Sequence, residues 1–156
     1  MAVDEVRIVD FPETRVAALE HLGPAQLEYR TVRKLVEWRR AMGLRPDRHR
    51  SFGVHYNDPR TTPPSDYRVD LCVSVDEPVA ENPQGVINKV IPKCRCAVAR
   101  HLGSRENVTA AAYLYEVWLP QSGEAPGDFP VFFHYVNVGP DVRDEDMITD
   151  VYLPLR

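Results

Sequence analysis

Aromatic side chains at related positions of the chain are the residues best suited to bind a small organic molecule. Trp38 and Trp118 fall on the apolar stripes of two predicted helices, and Tyr56 and Tyr135 lie in alternating, strand-like segments. Such rings stack on flat molecules and attract cations, each contact contributing about 0.5 to 2 kcal/mol. The alternative for the tryptophans is a core role, whereas a buried tyrosine hydroxyl needs either a protein partner or a ligand.

Histidines are the obvious candidates for metal ligands, and four of the five are related in pairs. The pairs are His21 with His101 and His55 with His134. No metal site is predicted, because strand alternation turns the second pair away from the aromatic residues and no carboxylate lies at chelating spacing. The sequence also contains no nucleophile elbow and no glycine-rich phosphate loop, so neither a catalytic residue nor a cofactor is assigned.

The cysteines do not form a recognisable metal or redox motif. Cys94 and Cys96 are separated by one residue, whereas zinc knuckles and dithiol motifs use two. If this segment is a strand, both thiols point to the same face and act as small apolar groups.

An internal repeat relates the two halves of the chain. Segment 15–23, RVAALEHLG, returns as 95–103, RCAVARHLG, at a spacing of 80 residues. Three more pairs keep this spacing: Trp38 and Trp118, Gly43 and Gly123, and Asp70 and Asp150. His55-Tyr56 would match His134-Tyr135 only after a gap of one residue. A repeat of this length indicates two related structural modules.

The two modules are expected to form one domain, 1–156. They cover about 6–76 and 86–156, and the proline-containing stretch 76–85 is predicted to link them. A module of about 70 residues is too small to bury a good core by itself, so the two should share one.

Composition limits the classes of function. The 156 residues are 44% hydrophobic and 27% charged, and the net charge is −4, which is not the signature of a protein that binds nucleic acid or anionic membranes. No apolar run is long enough to cross a bilayer, and residues 1–5 are acidic where a signal peptide would be basic. A cytoplasmic protein is expected.

The first module has the pattern strand, helix, strand, strand. Strands are predicted at 6–11, 15–22, 51–57 and 67–75. The helix should begin at Pro24 and end at Gly43 as its C-terminal cap. An ion pair of Arg68 with Asp58 or Asp70 is expected to brace the turn between the last two strands.

The second module repeats this pattern, with strands predicted at 86–91, 94–102, 131–137 and 148–155. Ser104 is the expected N-cap of a helix that runs to about Trp118 and is stopped by Pro120. Phe133 and Tyr135 are assigned to the same face that Phe52, Val54 and Tyr56 occupy in the first module. The fold class is therefore α+β with pseudo-twofold symmetry, in which two main helices pack on an antiparallel sheet.

Six segments carry a resemblance that covers nearly the whole chain: VAALEHLG (16–23), YNDPRTTP (56–63), YRVDLCVSV (67–75), AVARHLG (97–103), WLPQSG (118–123) and DVYLPL (150–155). Together they resemble the GyrI-like family, also known as the effector-binding domain of AraC-type regulators. The resemblance implies a concave sheet with a groove between two lobes, where family members bind amphiphilic or cationic compounds.

The family pattern also implies a glutamate that holds cationic ligands and acts as a base in hydrolytic members. Many relatives read Phe-Glu-x-Tyr, whereas this chain reads Phe132-Phe133-His134-Tyr135. A phenyl ring neither pairs with a buried cation as a carboxylate does nor accepts a proton. A neutral, flat or apolar ligand, or a weakly bound cation, is therefore expected. Glu116 is the one acid of the second predicted helix near its inward stripe, and it is the candidate to replace the missing carboxylate.

The resulting expectation is a stand-alone small-molecule-binding protein that acts as a sensor or a sequestering agent. Catalysis is not expected of it, because Phe133 stands at the family's glutamate position. Its expected ligand-binding residues are Trp38, Tyr56, Glu116, Trp118, Phe133 and Tyr135. No helix-turn-helix is evident, so contact with DNA would be indirect, through a regulator protein. The alternatives are a modulator that binds DNA gyrase and a hydrolase of reactive toxins.

Overall fold

The computed structural model describes residues 5–106 and 108–156. Residues 1–4 of the N-terminal segment that was predicted not to be a signal peptide, and Asn107 within the predicted second helix, lie outside the described residues. The chain forms two compact units: unit 1 combines the N-terminal segment up to Glu13 with Pro92–Arg156, and unit 2 is Thr14–Ile91.

Eight strands are formed by the described residues: β1 Val6–Phe11, β2 Thr14–Leu22, β3 Ser51–His55, β4 Arg68–Ser74, β5 Ile87–Ile91, β6 Cys94–Leu102, β7 Phe132–Tyr135 and β8 Ile148–Pro154. The helices are α1 Glu28–Ala41, α2 Ala110–Tyr113 and α3 Leu119–Ser122, with a π-helical segment at Leu114–Trp118. Short 3-10 turns lie at Ala25–Leu27, Pro64–Asp66 and Asp144–Asp146. The mixed α+β class with antiparallel strands and two main helical regions is confirmed.

In unit 2 the strand order is β3-β4-β2-β5, and all pairs are antiparallel. One face of this sheet, here called the helix face, packs against α1 and includes Leu19, Leu71 and Val73. The opposite face, here called the far face, carries Phe52 and Asp70. Gly43 ends the helix at a φ of 69°, which confirms its predicted role, because this left-handed conformation is strained for other residues. Pro24 precedes the 3-10 turn instead of beginning α1 itself.

In unit 1 the strand order is β1-β6-β8-β7, again antiparallel. The helix face includes Ala97, Ala99 and Val151 and packs against Ala110 and Leu114. The far face carries a group of aromatic side chains, which are Phe11, Phe132 and Tyr152.

The opening strand of each sequence module is paired with the other module. β1 lies beside β6 and β5 lies beside β2, so the stretch 76–85, predicted to link the modules, lies inside unit 2. Two-residue hairpins need positive φ at one or both central residues. The connections Pro12-Glu13 and Pro92-Lys93 cannot supply this, because proline fixes φ near −65° and no non-glycine residue in the described chain has positive φ.

The predicted one-residue gap in the repeat is wrong. Val54 pairs with Asp70 and His134 pairs with Asp150, so the spacing of 80 residues continues and His55 matches Tyr135. A shift of one residue moves every side chain of a strand to the other face. Phe133 and Tyr135 therefore lie on the helix face, and not on the face equivalent to that of Phe52, Val54 and Tyr56.

The second helical region also differs from the prediction. Ser104 is not an N-cap, since the helix begins only at Ala110, and it continues past Pro120 to Ser122. Pro120 has no N–H to donate to the carbonyl of Glu116 and its ring crowds that carbonyl. The widened π-helical segment immediately before it accommodates this conflict, as is usual for helix irregularities at proline.

Two asparagines, Asn57 and Asn137, occupy equivalent positions in the two repeats. Each donates through Nδ2 to a backbone carbonyl, of Asp66 at 2.9 Å and Asp146 at 2.8 Å. Each accepts through Oδ1 from the first backbone N–H of the next strand, of Arg68 at 3.0 Å and Ile148 at 2.8 Å. Both asparagines thereby close the loop that joins the last two strands of a module.

We expect Asn57→Ala and Asn137→Ala each to lower the free energy of unfolding by about 1 to 2 kcal/mol, because each removes at least the two loop-closing hydrogen bonds, worth about 1 kcal/mol apiece. Urea unfolding followed by circular dichroism measures the change. Gln121→Ala, an exposed position, is the control and should change stability by less than about 0.5 kcal/mol. Asparagine variants as stable as this control would contradict the loop-closing role.

Candidate functional site

The candidate ligand-binding residues separate into two groups. Trp38 and Tyr56 belong to unit 2, where Trp38 is only 4% exposed in the core beneath α1. Tyr56 follows β3, and its hydroxyl donates a 2.6 Å hydrogen bond to Asp70 Oδ2. The structure thus places Trp38 among packing residues and gives the Tyr56 hydroxyl a protein partner.

Three of the candidates belong to unit 1 and are connected there through one hydrophobic core and one ring contact. Trp118 and Phe133 are partly exposed and pack against the core beneath the helical region. Tyr135 meets Phe133 edge to face, with ring centroids 6.4 Å apart. We call Trp118, Phe133 and Tyr135 the aromatic surface. Its members come from the π-helical segment and from alternate positions of β7.

Arg105 holds one end of the aromatic surface in place. Its guanidinium lies 5.2 Å from the Tyr135 ring centroid and donates to Thr149 Oγ1 at 2.8 Å and to the Ile148 carbonyl at 2.7 Å. Burial lowers the pKa of Arg105 from its usual value, but an arginine remains charged in proteins. Tyr135 is therefore fixed by contacts on both sides, with Phe133 on one and Arg105 on the other.

Glu116, the predicted substitute for the missing carboxylate, lies in the π-helical segment two residues before Trp118 and is exposed to solvent. Its carboxylate is therefore hydrated, which weakens any pairing with a bound cation. The exposed ring of Tyr115, at 42%, is adjacent to it in the sequence.

A polar network on the far face of unit 2 was missed by the sequence analysis. Lys89 Nζ lies 2.7 Å from Asp70 Oδ2 and 2.7 Å from Glu20 Oε2. Arg68 reaches the same Glu20 oxygen at 3.3 Å and lies 4.0 Å from the Tyr56 ring centroid. The network depends on the pairing of β5 with β2, for which the sequence offers no local signal.

The contacts of this network shift the pKa values of Glu20, Lys89 and Tyr56. The hydrogen bond from Lys89, together with the charges of Lys89 and Arg68, lowers the pKa of Glu20 despite partial burial. Burial lowers the pKa of Lys89, but its bonds to Asp70 and Glu20 outweigh this and raise the net value. Burial and the bond to Asp70 raise the pKa of Tyr56 to about 12. Tyr56 is thus a hydrogen-bond donor and not a base at neutral pH.

The expected ion pair of Arg68 with Asp58 or Asp70 is not formed. Arg68 pairs with Glu20, and Asp58 pairs with Arg60 at 2.9 Å. Arg68 and Asp70 are both on β4 and share a face, but the Asp70 carboxylate is already occupied by Lys89 and Tyr56.

The corresponding position in unit 1 uses a simpler pair. Arg100 occupies the place of Glu20 in the repeat and binds the buried Asp150 with both ends of its guanidinium, at 2.7 and 3.0 Å. Such bidentate pairs satisfy both carboxylate oxygens. The buried aspartate is thus a shared feature of the fold, and only its partners differ between the units.

A shallow cavity of about 260 Å³ lies at the edge strand β5, lined by Arg15, Val16, Pro78, Asn88, Lys89 and Val90. None of the predicted ligand-binding aromatic residues lines it. The Lys89 amine there is already engaged by Asp70 and Glu20, and the Asn88 amide is bonded to the backbone of Val79. The aromatic surface remains the better candidate site for an apolar molecule.

The described residues contain no cluster of three or more metal-ligating side chains and no helix that could span a membrane. In residues 5–106 and 108–156 no three histidine, cysteine, aspartate or glutamate side chains are grouped so that they could hold a metal ion. His55 lies on the helix face of unit 2 and His134 on the far face of unit 1, so the two are not equivalent. None of the helices described for this chain is long and apolar enough to span a bilayer.

Comparison with known proteins gives a consistent assignment. The model of the GyrI-like small molecule binding domain matches residues 4–156. A probable transcriptional regulator, YgiV of Escherichia coli strain K12, is 40% identical over 153 residues, covering 97% of this chain and 96% of that protein. A DNA gyrase inhibitor of Erwinia billingiae is 25% identical over 154 residues, with 96% of each chain covered.

Solved structures support the fold. The crystal structure of the EcmrR C-terminal domain aligns with a TM-score of 0.75 at 16% identity and covers 97% of both chains.

Proposed function

This chain belongs to the GyrI-like family of small-molecule-binding domains, and on that premise we propose that it binds a flat apolar or aromatic compound on the aromatic surface of unit 1. By binding this compound, the protein acts as a sensor or as a sequestering protein. The proposal assigns Trp118, Phe133 and Tyr135 as contact residues and places Glu116 beside them. In this proposal Trp38 stabilises the core, and Tyr56 belongs to the polar network.

The contrast between the two repeat-related tryptophans is the observation that carries the proposal. Trp38 is a buried residue of the continuous helix α1, whereas Trp118 is partly exposed in the π-helical segment. The tryptophan at this position of the repeat is thus a core residue in unit 2, whereas in unit 1 its ring is partly exposed to solvent. Partly exposed aromatic residues beside a π-helical segment favour a binding site, since such segments are rare and are frequent at functional sites.

The chemistry of position 133 favours a neutral ligand. A carboxylate would attract cations, but Phe133 offers only its apolar area and its π face. Phe133 also cannot accept a proton, so it supplies no general base of the kind that hydrolytic members of the family are credited with. This supports binding over hydrolysis.

A thermal-shift and calorimetry screen tests the proposal. The wild type should respond to neutral polycyclic aromatics, because a ligand that binds the native state raises its melting temperature. Phe133→Ala should weaken binding roughly 3- to 10-fold, the loss of one aromatic contact of about 0.5 to 1.5 kcal/mol. Phe133→Glu should gain a response to a lipophilic aromatic cation such as tetraphenylphosphonium.

Tyr29→Glu is the matched control, because Tyr29 is an exposed aromatic residue of α1, at 52%, outside the aromatic surface. It adds the same charge and should leave the ligand response unchanged. If both glutamate variants gain the cation response, general electrostatic attraction explains it and the proposed site is wrong. If no compound shifts the wild type, the protein-partner alternative, with DNA gyrase or a regulator as the partner, replaces the small-molecule role.

A further inference from the structure

The thiols of Cys94 and Cys96 form a close pair at the start of β6 in unit 1. Their sulfur atoms lie 3.3 Å apart. Cys94 is partly exposed, whereas Cys96 is buried. Because they are alternate residues of one strand, both point to the far face, beside Phe11 and Val9 of β1. Solvent therefore reaches the sulfur of Cys94, and the sulfur of Cys96 is buried next to it.

Strand geometry does not favour a disulfide between these residues. Alternate residues of a strand are about 6.4 to 6.8 Å apart, which is at the upper limit of the Cα separation in disulfides. Their Cβ atoms point the same way and are similarly far apart, whereas a disulfide requires a Cβ separation of about 3.8 Å. To close a disulfide, the backbone would have to bring the two Cβ atoms closer together by more than about 2 Å.

An ion held between the two sulfurs avoids this problem, because two metal–sulfur bonds replace the single sulfur–sulfur bond and lengthen the bridge. With metal–sulfur bonds of about 2.3 Å, a bent or linear arrangement needs sulfurs about 3.8 to 4.6 Å apart. A rotation of the partly exposed Cys94 side chain provides this separation without moving the strand.

The number of ligands then selects the ion. Zinc requires four ligands, and no third histidine, cysteine, aspartate or glutamate joins the pair among the residues that the structure describes. Soft thiolate ligands favour monovalent copper, an ion that accepts two-coordinate binding. Hard ions such as magnesium and calcium prefer oxygen ligands and are excluded by the same reasoning.

We propose that Cys94 and Cys96 form a two-thiolate site for a soft monovalent metal ion of the copper(I) type. On binding, two S–H bonds break, two metal–sulfur bonds form, and two protons are released to solvent, with no change of oxidation state. The resulting complex has one negative charge. The partly exposed position of Cys94 leaves one side of this charge in contact with solvent, which reduces the cost of forming it.

The test is an anaerobic titration of the full chain with copper(I) in competition with a colorimetric chelator. One ion per chain is expected, with thiolate-to-copper absorption in the near ultraviolet. Cys94→Ser should weaken binding at least 100-fold, because loss of one of two direct ligands exceeds the 10- to 100-fold cost of losing an outer-shell contact. Cys72→Ala removes the third free cysteine, which lies in unit 2, and should retain full binding.

Two results would overturn the proposal. Copper(I) binding that survives Cys94→Ser unchanged would place the ion elsewhere, and rapid loss of two thiols under mild oxidation without copper binding would identify the pair as a disulfide. Cys94→Ser tests the site without disturbing the core, since Cys94 is the partly exposed member. Circular dichroism of each variant verifies that the fold is kept.

Discussion

Replacing Lys89 with methionine should lower the free energy of unfolding by about 3 to 5 kcal/mol, the usual cost of leaving a buried charge without its partner. The Asp70 carboxylate is 2% exposed, and Lys89 is the cation that contacts it, at 2.7 Å. Its Oδ1 is buried and has no hydrogen-bond partner among the described residues. The Tyr56 hydroxyl also donates to Oδ2, but it is neutral and does not replace the positive charge of Lys89. Methionine keeps most of the length of the side chain, and the effect therefore reports the charge.

The companion variants separate this charge effect from other causes. Asp70→Asn in the Lys89→Met background removes the unpaired charge and should restore part of the lost stability. Arg45→Met breaks a pair with Asp47 in which both side chains are more than half exposed, and should cost less than about 1 kcal/mol. If Lys89→Met costs no more than Arg45→Met, Asp70 is not a buried unpaired charge in the variant.

The pH dependence of stability provides an independent check on the network. The pKa of Glu20 is lowered in the folded state. Its contribution to stability is therefore present above its unfolded-state pKa and is lost as pH falls through its folded-state pKa. The pKa of Lys89 is raised in the folded state. Its contribution to stability is therefore present below its unfolded-state pKa and is lost as pH rises through its folded-state pKa. The difference in stability between wild type and Lys89→Met should therefore be largest between about pH 5 and pH 10 and decrease outside that window.

Local sequence patterns predicted the elements well, because those patterns reflect short-range physics. Alternation of apolar and polar residues predicted the ends of β2, β4 and β6 to within one or two residues. The conformational freedom of Gly43 predicted the end of α1. The family resemblance was confirmed by the comparisons. Each of these signals depends on residues close together in the chain.

Long-range pairing accounts for what the sequence did not reveal. Each repeat pairs its first strand with the other repeat, β1 with β6 and β5 with β2. No local pattern predicts this pairing, and the polar network of Lys89 depends on it. The one-residue gap was inferred from the similarity of His55-Tyr56 to His134-Tyr135, yet the backbone pairing gives equivalence of Phe52 with Phe132. The loop asparagines at 57 and 137 keep the spacing of 80 residues and are the local signal that indicates the correct register.

Phe132→Ala should lower the free energy of unfolding by about 3 to 5 kcal/mol, or the melting temperature by about 6 to 20 °C. Phe132 is fully buried. Its ring stacks on Tyr152 at 4.9 Å with an interplanar angle of 2°, and it meets Phe11 edge to face at 4.9 Å. Truncation leaves a cavity among these rings that the sheet cannot close.

The adjacent residue supplies the decisive comparison. Phe133→Ala has the same chemistry but lies on the opposite face and is partly exposed, so it should cost only about 1 kcal/mol. If the one-residue gap were correct, Phe133 would be the equivalent of Val54 on the far face and the two effects would be reversed. Thermal unfolding of both variants therefore tests the strand register directly. It also tests the division of roles in β7, because Phe132→Ala should act on stability and Phe133→Ala mainly on ligand binding.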